Sequence, residues 1–219
     1  MNERGAWLKT MKQDWPLIVL IFIAFLASLA VYPQLPEQVP SHWNLQGEVD
    51  DYTSRFWGAF LGPVVAAAIY LVMIVLPNID PRKQNYARFA SSYRVLSLSM
   101  PVIFLIIHAV AIAVALGYQL NVGLFVQGAV SILLIIIGNE LRRVRSTYFV
   151  GIKTPWTLAD DEVWRKTHRL AAPLWVGAGF TGLGAAFLAP PWNGIIFFGA
   201  IMVVTIVPVV YSYLLYARR

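Results

Sequence analysis

LSMPVIFLIIHAVAIAVALGYQLNVGLFVQGAVSILLIIIG, residues 98–138, contains no lysine, arginine, aspartate or glutamate. A helix needs roughly 20 predominantly apolar residues to cross the hydrocarbon core of a bilayer. Two such helices fit here, Leu98–Leu116 and Val122–Gly138, with residues 117–121 as the turn between them. Apolar on every side, they suit lipid better than water.

The same reading extends outward. Runs at Pro16–Val31, Phe56–Leu76, Pro173–Ala189 and Gly194–Tyr216 bring the expected spans to six. They take up most of the 219 residues, of which 58% are hydrophobic and 13% charged, with a mean hydropathy of +0.64. The expected fold is an all-α integral membrane protein, a six-transmembrane helix bundle with no sizeable soluble domain. The first run follows a short basic head, Arg4, Lys9 and Lys12, and ends in Ser28-Leu29-Ala30, a layout shared with signal peptides. It is read here as a retained span. With no cysteine in the chain, disulfides, thiol chemistry and cysteine-based metal sites are excluded.

The net charge of +6 is explained by where the basic residues fall. Of 17 Lys and Arg, three lie in the head, four in 77–97, seven in 139–172 and two at the C-terminus, against one in 32–55 and none in 117–121 or 190–193. Sixteen therefore share one side, which the positive-inside rule assigns to the cytoplasm. The expectation is a multi-pass membrane protein with both termini in the cytoplasm, not a nucleic-acid binder.

Two loops are large enough to carry function. In the outer one, Pro33, Pro36 and Pro40 hold the chain extended. Asn44-Leu45-Gln46-Gly47 reads as a turn between Val39–Trp43 and Glu48–Tyr52, which predicts a small extracytoplasmic hairpin. Trp43 and Tyr52 suit the membrane interface. His42 with Asp50 and Asp51 lacks the regular spacing of a metal site, so these residues are expected to fix the turn, with no metal or cofactor.

In the inner loop, Thr157-Leu158-Ala159-Asp160 fits a capping box, and a cytoplasmic amphipathic helix is expected to follow it. Val163, Trp164, Thr167, Leu170 and Ala171 share its apolar face; Asp161–Arg165 and Glu162–Lys166 are spaced to pair on the other. His168 lies one turn after Trp164, within stacking reach. His108 sits near the middle of the third expected span, where a polar group needs a partner; Gln127, Ser131 and Thr205 are candidates. The expected role for His108 is hydrogen bonding and packing. Small-residue stripes at Gly58, Gly62 and Ala66, and at Ala178, Gly182 and Ala186, allow close helix approach.

Two segments carry a resemblance. LPEQVPSHWNLQGEVD, residues 35–50, resembles the outer loop of the SdpI family of bacterial membrane immunity proteins, and YFVGIKTPWTL, residues 148–158, followed by EVWRKTHR, residues 162–169, resembles its cytoplasmic signature. The resemblance divides the chain into residues 1–97, with two spans and the outer HWN loop, and an SdpI-like part, residues 98–219, with four spans. It implies resistance to a secreted, membrane-active peptide toxin and, on the inner side, capture of a soluble transcriptional repressor. Matched by position, the outer binding residues are Pro40, His42, Trp43, Asn44, Gly47 and Asp50. The inner ones are Gly151, Lys153, Thr154, Pro155, Trp156, Trp164, Thr167, His168 and Arg169. Membrane lipid is the remaining expected partner. A small transporter or lipid-handling protein is the alternative, motivated by His108 and by Pro101 and Pro208 within spans. An enzyme is not expected, because the candidate polar residues lie on opposite sides of the membrane.

Overall fold

The computed structural model describes residues 13–44 and 48–218. The basic head and the tip of the expected turn, including Gly47, lie outside them. Long helices dominate: α1 (Trp15–Val31), α2 (Arg55–Ile79), α3 (Ala90–Ala115), α4 (Val122–Leu141), α6 (Asp161–Ala185) and α7 (Trp192–Ala217), with a short α5 (Pro155–Ala159). Strands β1 (Gln38–Trp43) and β2 (Val49–Ser54) form one antiparallel hairpin, and 3-10 turns occupy Tyr32–Gln34 and Lys83–Phe89.

Five stretches are long and apolar enough to cross a membrane: Trp15–Gln34, Arg55–Ile79, Lys83–Ala115, Val122–Leu141 and Trp192–Ala217. Their large apolar side chains face outward, as Phe22, Leu71, Phe198 and Val203 do, each more than half exposed. Such faces require lipid. The sixth expected span differs. Pro173 lies inside α6, so the amphipathic helix and the apolar run after it form one continuous helix ending at Ala185. From Leu170 to Ala185 the apolar part is about 24 Å long, against a hydrocarbon core of roughly 30 Å.

The chain forms two compact units, Met1–Ile74 with Ser97–Phe125, and Val75–Leu96 with Val126–Arg219. In the first, Ala66 is fully buried among Leu17, Ile21, Tyr70 and Leu105. The stripe that it ends works as its small side chains suggest: Gly58 lies against Val39, and Gly62 lies against the His108 ring. In the second, α6 and α7 pack along each other, and Ala178 joins Leu134 and Val204 in a core. Gly182 sits against Ser131 and Phe197, and its carbonyl accepts a hydrogen bond from Gln127 Nε2 at 2.9 Å.

Candidate binding surfaces

The hairpin is built around a residue that cannot take its full part in a ladder. Pro40 has no N–H to donate, and the register slips between Pro40 and His42 and again between His42 and Trp43. These irregularities pair His42 with Asp51 across the strands and bring His42 Nδ1 within 2.5 Å of Asp50 Oδ1. Asn44 closes the turn from both ends: its N–H donates to the Glu48 carbonyl at 2.9 Å, and its Oδ1 accepts from the Glu48 N–H at 3.0 Å. An isolated two-stranded hairpin is marginal in water. Here Val39, 1% exposed, and Leu35, 2%, anchor it against Ala59, each contributing about 2 kcal/mol of apolar burial. Arg55 adds a hydrogen bond to the Pro36 carbonyl at 3.4 Å and joins β2 to α2. The underside is thus fixed. His42, Asp50 and Tyr52 remain exposed, while Trp43 and Asn44 are half-buried.

The 139–172 segment is built the opposite way, with its polar groups turned inward. Thr154 caps α5: its Oγ1 accepts from the Thr157 N–H at 3.1 Å, and its own N–H donates to Thr157 Oγ1 at 2.8 Å. The capping box therefore lies three residues earlier than expected, with Thr157 at its end rather than its start. Pro155 explains the shift, since its fixed φ and missing N–H suit the first helical position. Asp160 then starts α6 as a second cap, accepting from the Glu162 and Val163 N–H groups at 2.7 and 3.0 Å. Glu162 pairs with Lys166 at 2.9 Å; the expected Asp161–Arg165 pair does not form. On its inner face, Val163, Trp164, Thr167, His168 and Ala171 are buried and Leu170 is half-buried.

Trp164 and His168 stack with ring centres 4.2 Å apart and planes at 20°. The Ile152 N–H donates to His168 Nε2 at 2.9 Å, which leaves Nδ1 to carry the proton donated to the Trp164 carbonyl at 2.8 Å. His168 is neutral in this arrangement: burial pushes its pKa down to about 4, against a smaller upward pull from the Trp164 carbonyl. Trp164 Nε1 donates to the Val144 carbonyl at 3.0 Å. Gly151 passes beneath both rings at φ +116°, a left-handed conformation that side chains disfavour, and a Cβ there would lie 2.7 Å from His168 Nε2. Trp156 Nε1 donates to Ser212 Oγ, and its ring meets Tyr213 edge-on. Of the nine matched inner residues, Thr154, Trp164, Thr167 and His168 are buried, Gly151 and Trp156 half-buried, and Lys153, Pro155 and Arg169 exposed.

Sequence reasoning missed the polar cluster that holds this segment. Asp80, 2% exposed, accepts from the Arg82 N–H at 2.7 Å, the Tyr86 hydroxyl at 3.0 Å and the Tyr148 N–H at 3.0 Å. Arg82 reaches Ser146 Oγ and the Leu158 carbonyl, the latter at 2.7 Å, while Asn85 donates to the Ser146 carbonyl at 2.7 Å. Asp80-Pro81-Arg82 carried the signal: it places an acid and a base in a short connection where only basic residues were counted. His108 also has a partner that was not anticipated. Its Nε2 lies 2.9 Å from Ser28 Oγ, whereas Gln127 and Thr205 bond to the carbonyls of Gly182 and Ile201, and Ser131 Oγ is buried with no hydrogen bond. Ser28 is a polar residue inside an apolar run, in a stretch that also resembles a cleavage site.

Comparison with known proteins finds two family matches in the chain. Residues 19–67 match a domain of unknown function (DUF1648), and residues 143–212 match the SdpI/YfhL protein family. The chain is 27% identical over 208 residues to the immunity protein SdpI of Bacillus subtilis (strain 168), covering 95% of this chain and 98% of that protein. No solved structure matches the chain. The hairpin lies within the first match, and the stacked Trp164–His168 pair with its glycine floor lies within the second. By this C-terminal segment the chain is similar to the SdpI/YfhL protein family, and along nearly its whole length it is similar to an immunity protein.

Proposed function

We propose that this protein is a bacterial membrane immunity protein that confers resistance to a secreted, membrane-active peptide toxin. The observation that carries the reading is its similarity to an immunity protein along nearly the full length of both chains. The role is binding rather than catalysis. Its outer surface is the hairpin, where exposed His42 and Asp50 stand on a fixed base, and its inner surface is the basic 139–172 segment. A soluble repressor captured on the inner side would meet Lys153, Pro155 and Arg169, which are exposed, rather than Trp164 and His168, which are buried. Both termini lie in the cytoplasm, as the distribution of basic residues supports. Ser28 at hydrogen-bond distance and Gly62 beneath its ring support a packing role for His108.

Two measurements on one strain test this. Expression in a sensitive bacterium should raise survival against at least one of a panel of secreted membrane-active peptides; uniform sensitivity at normal membrane levels contradicts the reading. Because the chain has no cysteine, single cysteines report sidedness directly. One at Gln46 should react with an impermeant reagent in intact cells and one at Asp160 should not, and the reverse pattern overturns the orientation.

A further inference from the structure

Within the second unit a cavity of about 200 Å³ opens beside the Trp164–His168 stack. Four arginines line it, drawn from three places in the chain: Arg88 from the turn before α3, Arg142 and Arg145 from the segment just after α4, and Arg165 from α6. Asp161 is the one carboxylate among the lining residues, which leaves a net charge of +3 with His168 neutral. Among the described residues none of the four arginines forms an ion pair within 4 Å, although Lys166 and, more weakly, Arg165 hold the Glu162 carboxyl below its usual range; in the second unit the pairs that do form are Arg143 with Glu140 and Lys166 with Glu162.

The contrast with Arg82 is informative. That guanidinium is spent on Ser146 and the Leu158 carbonyl and serves the fold. The other polar groups around the cavity are spent as well: Trp164 Nε1 on Val144, both His168 nitrogens on backbone groups, and Asn85 on the Ser146 carbonyl. What remains is a wall of two aromatic rings whose nitrogens already have partners, together with four guanidinium groups and the single Asp161 carboxylate. Like charges gathered round one concavity repel unless an anion shares them. Guanidinium groups meet phosphate oxygens in parallel, two-pronged hydrogen bonds, which makes arginine clusters particularly suited to that anion. The volume falls below the range of about 300–1,000 Å³ typical of sites for drug-sized ligands, so it fits a headgroup-sized ligand better than a nucleotide. The position fits too. Arg142 follows directly on the apolar α4, and Arg88 lies near the polar end of the Lys83–Ala115 stretch, the depth at which basic pockets meet lipid headgroups.

We propose that this arginine-lined cavity binds a phosphate group, supplied either by an anionic lipid headgroup or by free phosphate. This is independent of toxin resistance, and its test is binding by the purified full-length chain. Inorganic phosphate is titrated calorimetrically against the detergent-solubilised protein at constant ionic strength, with chloride as the control. Separately, the protein is reconstituted into phosphatidylcholine vesicles containing phosphatidic acid, and lipid retained through delipidation is counted. The variants are Arg88→Gln with Arg145→Gln, Arg142→Gln alone in case the pair disturbs folding, and Arg143→Gln as a control outside the cavity. The expected result is binding of at least one probe that weakens tenfold or more in the cavity variants and is unchanged in Arg143→Gln. Binding of free phosphate identifies a soluble ligand; retention of phosphatidic acid without phosphate binding identifies a lipid. Binding of neither probe, or equal binding by wild type and cavity variants, overturns the proposal.

Discussion

The hairpin and the 139–172 segment both carry a recognisable run of aromatic and polar residues, yet the two runs are used in opposite ways. In the hairpin, anchoring falls to Leu35 and Val39, which are apolar and buried, and His42 and Asp50 of the motif stay exposed. In the inner segment the motif itself is the anchor: Thr154, Thr157, Trp164 and His168 are buried and their polar atoms engage the loop from within, save Thr167 Oγ1, which has no partner. A motif thus marks where a chain is constrained, and burial decides whether the constraint is architecture or recognition. Substitutions in the two regions should separate along that line, with stability failing in one and binding in the other.

The largest loss is expected at Trp164. Replacing it by alanine removes a ring that is 3% exposed, its hydrogen bond to Val144 and its stack on His168, at a cost of about 4 kcal/mol. Thermal unfolding in detergent measures this, and limited proteolysis should cut first within 144–160. A shift no larger than that of an exposed substitution such as Lys153→Ala would show that the segment is not held from within. Gly151→Ala comes next. It forces a Cβ onto a backbone at φ +116° and into the space of both rings, which costs about 3 kcal/mol in strain and overpacking.

The third effect is set by pH. Folding holds His168 near pKa 4, whereas unfolded histidine titrates near 6.5, so between these values the unfolded state binds the extra proton. Stability should be full above pH 6.5 and fall as pH drops toward 4, by about 1 kcal/mol at pH 5.5. Unfolding midpoints at pH 7.5 and 5.5 check it, with His168→Gln as the variant in which the difference shrinks. A wild-type midpoint that rises on acidification contradicts the buried neutral ring.

These effects also show what a sequence discloses. The five long apolar stretches were legible because a span announces itself in one window, without reference to the rest of the chain. The hairpin was legible because Pro40 and Asn44 dictate local backbone. The face of α6 followed from periodicity, though not what covers it. Ser28 with His108, and Asp80 with Tyr148, were hidden because they join residues 80 and 68 positions apart, a distance over which local pattern is silent. The capping box was placed three residues late because two overlapping signatures, Thr154 to Thr157 and Thr157 to Asp160, competed, and Pro155 favours the first.

The smallest change in stability, under about 1 kcal/mol, is expected at the hairpin, where His42 and Asp50 form an exposed pair. The same substitution is expected to have the largest effect on function, and it tests the central claim most directly. A toxin-sensitive bacterium expressing His42→Ala with Asp50→Ala, at the same membrane level and unfolding midpoint as wild type, is challenged with a peptide that the wild-type chain resists. The account predicts survival falling to that of cells without the protein. Survival equal to wild type would contradict it, because the exposed face of the hairpin would then play no part in resistance.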